Sequence, residues 1–234
     1  MNQAATLFHT VLKKKSRIKL LGDSITHGVG GTGFEQNGEP IVTNFFRNPD
    51  GYCWAKQWKE YLEAHYACEV VNNACTGTTI QFILEHFDTL VDEEDDLILC
   101  TIGTNNRHQY HDQKPKHTRE EHMEEFYQNI LALHERFQKA NKSAVFMANI
   151  PASSENEQDG ENYWRLFHME DVYHLYQKAS EVCGFPLIEM YRLFSEYCEQ
   201  NNVTVDSLLA DGLHPTDQGY DVMYQLIMKE LELL

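Results

Sequence analysis

Four short segments carry the residue types that nucleophilic acyl transfer requires. Gly22-Asp23-Ser24-Ile25-Thr26 offers a hydroxyl, and Asp211-Gly212-Leu213-His214 offers an imidazole with a carboxylate three residues before it. A serine hydroxyl needs a base to attack at neutral pH, and histidine has the suitable pKa. The imidazole in turn needs an acceptor for its second nitrogen, which fixes tautomer and orientation, and Asp211 is in place for that. Gly77, closing Asn73-Ala74-Cys75-Thr76-Gly77, presents a backbone N–H with no side chain in the way. Asn105, in Gly103-Thr104-Asn105-Asn106, presents a carboxamide N–H. With the Ser24 backbone N–H these make three candidate donors to a developing oxyanion. Each residue also has a plainer reading: Ser24 as a helix N-cap, Asn105 as a loop-closing side chain, and Cys75 as a small buried hydrophobe.

These residues gain meaning from the elements that must present them. Short β-rich apolar runs recur at Ile18–Leu21, Val70–Asn72, Leu97–Ile102, Ala144–Ile150 and Pro186–Ile188. Helical periodicity fills Trp54–Tyr66, Thr78–Leu90, Arg119–Asn141, Tyr163–Cys183 and the segment after Pro215. Alternating strands and helices predict an α/β protein with a parallel sheet covered on both faces. Ser24, Gly77 and Asn105 all follow strand ends, the edge where open α/β sheets bind ligands. The polar stretches Gly28–Tyr52, Asn105–Thr118 and Pro151–Asn162 lie on that edge as well. No repeat or linker divides the chain, so one domain over residues 1–234 is expected, led by a helix within 1–16.

In order and spacing, the blocks GDSIT, NACTG, GTNN and DGLH resemble the SGNH hydrolases, also called GDSL esterases and lipases. The resemblance runs from about Ile18 to the final helix. It implies a flavodoxin-like three-layer α/β/α fold with a five-stranded parallel sheet of order 2-1-3-4-5. It also implies a cofactor-free serine esterase with Ser24, Asp211 and His214 catalytic, and Ser24, Gly77 and Asn105 in the oxyanion hole. Two positions depart from the family pattern. Ala74 stands where a glycine is common, and Asn106 where an aspartate is common.

Composition narrows the partners. With 19 Lys+Arg against 36 Asp+Glu, the 234-residue chain carries a formal charge of −17 and stays negative even with all 12 histidines protonated. Such a chain lacks the attraction that nucleic acids and anionic membranes demand. No apolar run is long enough to span a bilayer. Ala4, Leu7, Phe8, Val11 and Leu12 precede Lys13-Lys14-Lys15, the reverse of a secretory signal, and read as an amphipathic surface helix. Six scattered cysteines without a C-x-x-C pair suit reduced thiols and a cytoplasmic location.

Other motifs compete. Gly28-Val29-Gly30-Gly31-Thr32-Gly33 satisfies G-x-G-x-x-G, the basis of an alternative reading as a nucleotide-binding oxidoreductase. It does not start directly after a strand or open a helix, and a flexible loop is the preferred reading. The G-x-S-x-G elbow of α/β-hydrolases is missing. His108, His111, His117 and Asp112 lack zinc-site spacing and read as a solvated histidine loop, so no metal is expected. Asp92–Asp96 reads as an exposed turn. The expected substrate is a small-molecule or carbohydrate ester with a short acyl group. A lipase or thioesterase acting on longer chains is the alternative. Loop aromatics Phe34, Phe45, Phe46, Tyr52, Tyr163, Trp164 and Phe167 are candidates for a sugar platform.

Overall fold

The computed structural model describes residues 2–35, 40–42, 45–46, 51–110 and 114–233, with the side chains of residues 40–42 and 45–46 left aside. Five parallel strands form the central sheet: β1 (Ser16–Gly22), β2 (Cys68–Asn72), β3 (Leu97–Thr101), β4 (Ser143–Met147) and β5 (Leu187–Ile188). Their spatial order is β2-β1-β3-β4-β5. Ile18 pairs with Val70 on one side and Leu97 on the other, Leu97 with Ser143, and Met147 with Ile188. This is the expected order, and it makes β1 a neighbour of both β2 and β3.

The period of two along each strand sends alternate side chains into two cores. Ile18, Leu20, Leu97, Leu99, Val145 and Met147 face one of them. That face is covered by α1 (Gln3–Val11), α3 (Trp54–His65), α8 (Met190–Asn201) and α9 (Asp217–Glu230), through residues such as Phe8, Trp58, Phe194 and Met223. Leu21, Ile98, Cys100, Ala144 and Phe146 face the other. There α4 (Ile80–Glu85), α5 (Phe87–Leu90), α6 (Arg119–Lys139) and α7 (Met169–Cys183) pack through Ile83, Phe87, Phe137 and Tyr176. The leading helix is docked rather than lying on the surface, with Ala4, Ala5, Phe8, Val11 and Leu12 all buried.

Three further features differ from the sequence reading. α7 starts at Met169, not Tyr163, because Trp164–Arg165 pairs antiparallel with His108–Gln109. The His168 N–H then donates to Asp171 Oδ2 at 2.6 Å where the helix begins. α8 was not anticipated, since only Met190, Phe194 and Cys198 are fully buried, one residue per turn. The acidic run before β3 is an exposed turn only at Glu93 and Glu94: Asp95 is buried, and Lys19 Nζ, also buried, lies 2.7 Å from Asp92 Oδ2 and 3.3 Å from Asp95 Oδ2.

Candidate active site

Ser24 opens α2 (Ser24–His27), a single turn entered directly from β1. Its N-cap is Asp23, whose Oδ1 accepts the Ile25 N–H at 3.1 Å. Asn149 Nδ2, just beyond β4, donates to Asp23 Oδ2 at 3.0 Å and to Thr104 Oγ1 at 2.8 Å. Three strand ends are thus stitched together beneath the serine. Burial raises the Asp23 carboxyl above its ordinary range, with the Thr104 hydroxyl and the Ile25 N–H opposing.

Ser24 Oγ lies 2.8 Å from His214 Nε2, and His214 Nδ1 lies 2.7 Å from Asp211 Oδ2. Local folding explains the three-residue spacing. Asp211 Oδ1 accepts the N–H groups of Leu213 (3.1 Å) and His214 (2.8 Å), an Asx turn that leaves Oδ2 for the ring. The Ala210 N–H donates to the His214 carbonyl at 2.7 Å, and the Ser153 N–H to that of Gly212 at 2.8 Å. Burial pushes the Asp211 carboxyl up, but the His214 N–H and imidazole hold it below its ordinary value.

Gly77 sits at φ +82°, with open space where a Cβ would be. Asn105 Nδ2 donates to the Thr78 carbonyl at 2.9 Å, tying the loop after β2 to the 3₁₀ turn Thr104–Arg107 after β3. A carboxamide has two N–H groups, so this bond engages one of them. Asn106 has a different duty. Its Oδ1 accepts the Ile80 N–H at 3.1 Å while its Nδ2 donates to Gln81 Oε1 at 2.6 Å, anchoring the start of α4. Ala74 and Cys75 are buried in the loop body.

Several contributors were missed or misjudged in sequence. The glycine-rich loop is held rather than flexible. The Gly28 and Val29 N–H groups donate to the Ser24 carbonyl at 2.9 and 3.0 Å, Tyr220 Oη donates to the Val29 carbonyl at 2.7 Å, and the Thr32 N–H to Asp217 Oδ1 at 2.7 Å. The loop follows α2 instead of opening a helix, which is not the geometry of a dinucleotide fingerprint. Arg107, fully buried, donates to Glu157 Oε2 at 2.8 Å and Asn156 Oδ1 at 2.6 Å, fastening the 151–165 loop. Burial pushes its guanidinium down to about 10, with Glu157 opposing.

His108 is buried against Tyr110 rather than solvated, with ring centroids 4.4 Å apart. His111 and Asp112 lie outside the described residues, and no group of three potential metal ligands occurs among the described ones. Of the aromatics considered as a platform, Phe167 is core and Phe34 packs on His27. Tyr52 hydrogen-bonds Asp221. The side chains of Phe45 and Phe46 lie outside the described residues. Tyr163 and Trp164 are half-buried beneath Arg165 and Lys114.

Comparison with known proteins agrees with the fold. No curated protein sequence matches the chain significantly. A GDSL-like lipase candidate from Parabacteroides merdae is 20% identical, with TM-score 0.68, covering 95% of this chain and 98% of its own. A lipase/acylhydrolase from Enterococcus faecalis is 19% identical, with TM-score 0.65 and coverages of 93% and 95%. An acetylxylan esterase from Geobacillus stearothermophilus is 18% identical, with TM-score 0.67 and coverages of 94% and 96%. In that esterase, alanine replacements of an aspartate, of a histidine three residues later and of a serine are described as catalytic mutants. Among the described residues no helix is long and apolar enough to cross a membrane. Residues 20–222 match the profile of the GDSL-like lipase/acylhydrolase family, and the chain therefore belongs to that family of serine ester hydrolases.

Proposed function

We propose that the chain hydrolyses short-acyl esters, foremost O-acetyl groups on carbohydrates, through an acyl-enzyme on Ser24. The observation that carries this reading is the aligned series Ser24 Oγ, His214 and Asp211, with contacts of 2.8 and 2.7 Å. Ser24 Oγ attacks the ester carbonyl carbon while its proton passes to His214 Nε2. The carbonyl oxygen becomes an oxyanion, received by the N–H groups of Ser24 and Gly77 and the second N–H of Asn105. Collapse breaks the bond to the alcohol oxygen, which takes the proton from His214. A water then gives its proton to His214, attacks the acyl-serine, and the carboxylic acid leaves as Ser24 regains its hydrogen. Asp211 holds the ring in the required tautomer and stabilises its cationic form.

The acyl and alcohol preferences rest on the surroundings and on the acetylxylan esterase likeness. A cavity of about 430 Å³ beside Asn106, next in sequence to Asn105, is lined by Gln81, His108, Gln109, Tyr110 and Glu125 together with Phe126, Leu166 and Phe167, and by none of Ser24, Gly77 or His214. Its carboxamides, imidazole and open tyrosine ring supply hydrogen-bonding groups for a hydroxyl-rich ring, with Phe126, Leu166 and Phe167 as the apolar part of the wall. The six thiols suit a reducing, cytoplasmic setting, and we read residues 1–234 as one catalytic domain needing no metal.

A panel of esters graded by acyl length and alcohol, with Ser24→Ala as the blank, tests the proposal. Acetates of sugars are expected to turn over best, with activity surviving chelation. Preference for chains of about ten carbons or more, each methylene contributing about 0.8 kcal/mol in an apolar slot, would overturn the acyl assignment. Organophosphorus labelling of Cys75 instead of Ser24 would overturn the nucleophile.

A further inference from the structure

His27 closes the helical turn that Ser24 opens, and nothing in the acyl-transfer scheme uses it. Its side chain is fully buried. Nδ1 accepts the Thr76 N–H at 3.1 Å, with Thr76 Oγ1 at 3.2 Å. An Nδ1 that accepts leaves the ring proton on Nε2, and Nε2 is buried without a hydrogen-bond partner among the described residues. Phe34 packs on the ring edge to face at 5.0 Å. Burial drives the imidazole pKa down to about 4, so the ring is neutral wherever an ester hydrolase of this kind works. A neutral, enclosed imidazole without access to solvent is no acid or base. Among the described residues its hydrogen bonding is with Thr76 alone.

That interaction falls at a sensitive place. Thr76 and Gly77 are the exposed tip of the loop after β2, and no packing would hold a Cβ at Gly77. The tip is set by hydrogen bonds on both sides. The Thr78 N–H and hydroxyl donate to the Cys75 carbonyl at 3.3 and 2.7 Å, and Asn105 holds the Thr78 carbonyl. On the N-terminal side the Cys75 N–H donates to the Gly22 carbonyl at 3.1 Å, and the Thr76 N–H to His27. The residue after Thr76 carries the N–H assigned above to the oxyanion.

The geometry points to His27 as a positioning residue that ties the Thr76–Gly77 tip to the Ser24 turn, so that nucleophile and oxyanion donor keep one fixed relation. This rests on the reading of Gly77 as an oxyanion donor. A plain core histidine would contribute through filled volume alone. The positioning role depends on the acceptor at Nδ1.

Replacing His27 with Asn or with Leu separates the two, because the side chains are nearly isosteric while only Asn Oδ1 stands close to where Nδ1 was. Activity is expressed per serine titrated with an organophosphorus reagent, so unfolded protein does not count. His27→Leu is expected to lower kcat by roughly 10- to 100-fold, the scale of a misplacement of about 1 Å, with KM changed by less than about threefold. Affinity for a boronic acid that mimics the tetrahedral intermediate falls in parallel. His27→Asn retains at least about five times the kcat of His27→Leu, although Leu suits a buried site better and its variant melts no lower. Equal kcat in the two variants, or activity that follows melting temperature, overturns the positioning role. Activity persisting in Ser24→Ala overturns the catalytic reading itself, an outcome independent of position 27.

Discussion

Gly30 stands behind His214: a Cβ at position 30 would lie 3.1 Å from His214 Cβ and 2.5 Å from the Pro215 carbonyl oxygen. The glycine-rich loop is therefore the backstop of the imidazole. It connects the Ser24 carbonyl, through Gly28 and Val29, to α9, through Tyr220 and Asp217. The proposed nucleophile and base come from opposite ends of the chain, and this loop touches the residues of both.

Gly30→Ala follows as a test. The backbone at φ +95° disfavours any Cβ, at a cost of about 1–3 kcal/mol, and the new methyl must displace Pro215 or His214. A fall in kcat of roughly 10², with a lowered melting temperature, is expected for a base shifted by about 1 Å. Unchanged kcat in steady-state assays would remove the loop from the alignment of His214.

Lys19 offers a prediction about stability alone. Its ammonium is buried in the middle of β1 with Asp92 and Asp95, while Lys142 Nζ caps the Glu93 and Asp95 carbonyls at 2.7 and 3.0 Å. Lys19→Met leaves Asp95, whose carboxyl burial already raises, without its main cation. Removing one partner of a buried pair costs about 3–5 kcal/mol. Denaturant titration should show that loss, with kcat of the remaining folded enzyme unaltered, since the pair lies at the opposite edge of the sheet from Ser24.

Acid sensitivity follows from His27 and His108. Burial lowers both to about 4 from 6.5, His108 further through Arg165 and Arg107. A folded-state pKa below the unfolded one means that the unfolded chain takes up the proton first. Their contribution is therefore complete above pH 6.5 and is lost as pH falls from 6.5 toward 4, on the order of a few kcal/mol for each. His27→Leu should flatten the fall in melting temperature across that window. A slope as steep as that of the wild type would show that His27 titrates normally in the folded state.

Ser24, Gly77 and Asn105 were legible because each follows a strand, and the sheet order places them side by side, whereas Asp211 and His214 follow α8 and a 3₁₀ turn and were legible only from their own spacing. Their supports were not. The His27–Thr76 contact spans 49 residues and Lys19–Asp92 spans 73, so neither leaves a local pattern. The ribbon pairing Trp164–Arg165 with His108–Gln109 is two residues per strand, too short for alternation to show, and it overrode the helical periodicity from Tyr163. The G-x-G-x-x-G spacing was visible, but its purpose depends on α9, which packs on it from the far end of the chain.

Asn105 supports the last prediction. Its carboxamide already donates to the Thr78 carbonyl, so Asn105→Ala removes both a tether and a candidate oxyanion donor. The tether alone is one partly exposed hydrogen bond, about 0.5–1.5 kcal/mol, and its loss should lower the melting temperature only modestly. The donor acts on charge that develops only in the transition state, and its removal costs about 2.7–4 kcal/mol, or roughly 10²–10³ in kcat. The two roles thus differ in where the loss appears. Asn105→Ala should lose far more in kcat than in stability or KM, and Asn105→Asp should be at least as damaging, since a carboxylate repels both the oxyanion and the Thr78 carbonyl. If Asn105→Ala keeps more than about a third of the wild-type kcat, the effect falls well short of a lost donor. Asn105 is then a loop tie, and the oxyanion is left to the N–H groups of Ser24 and Gly77.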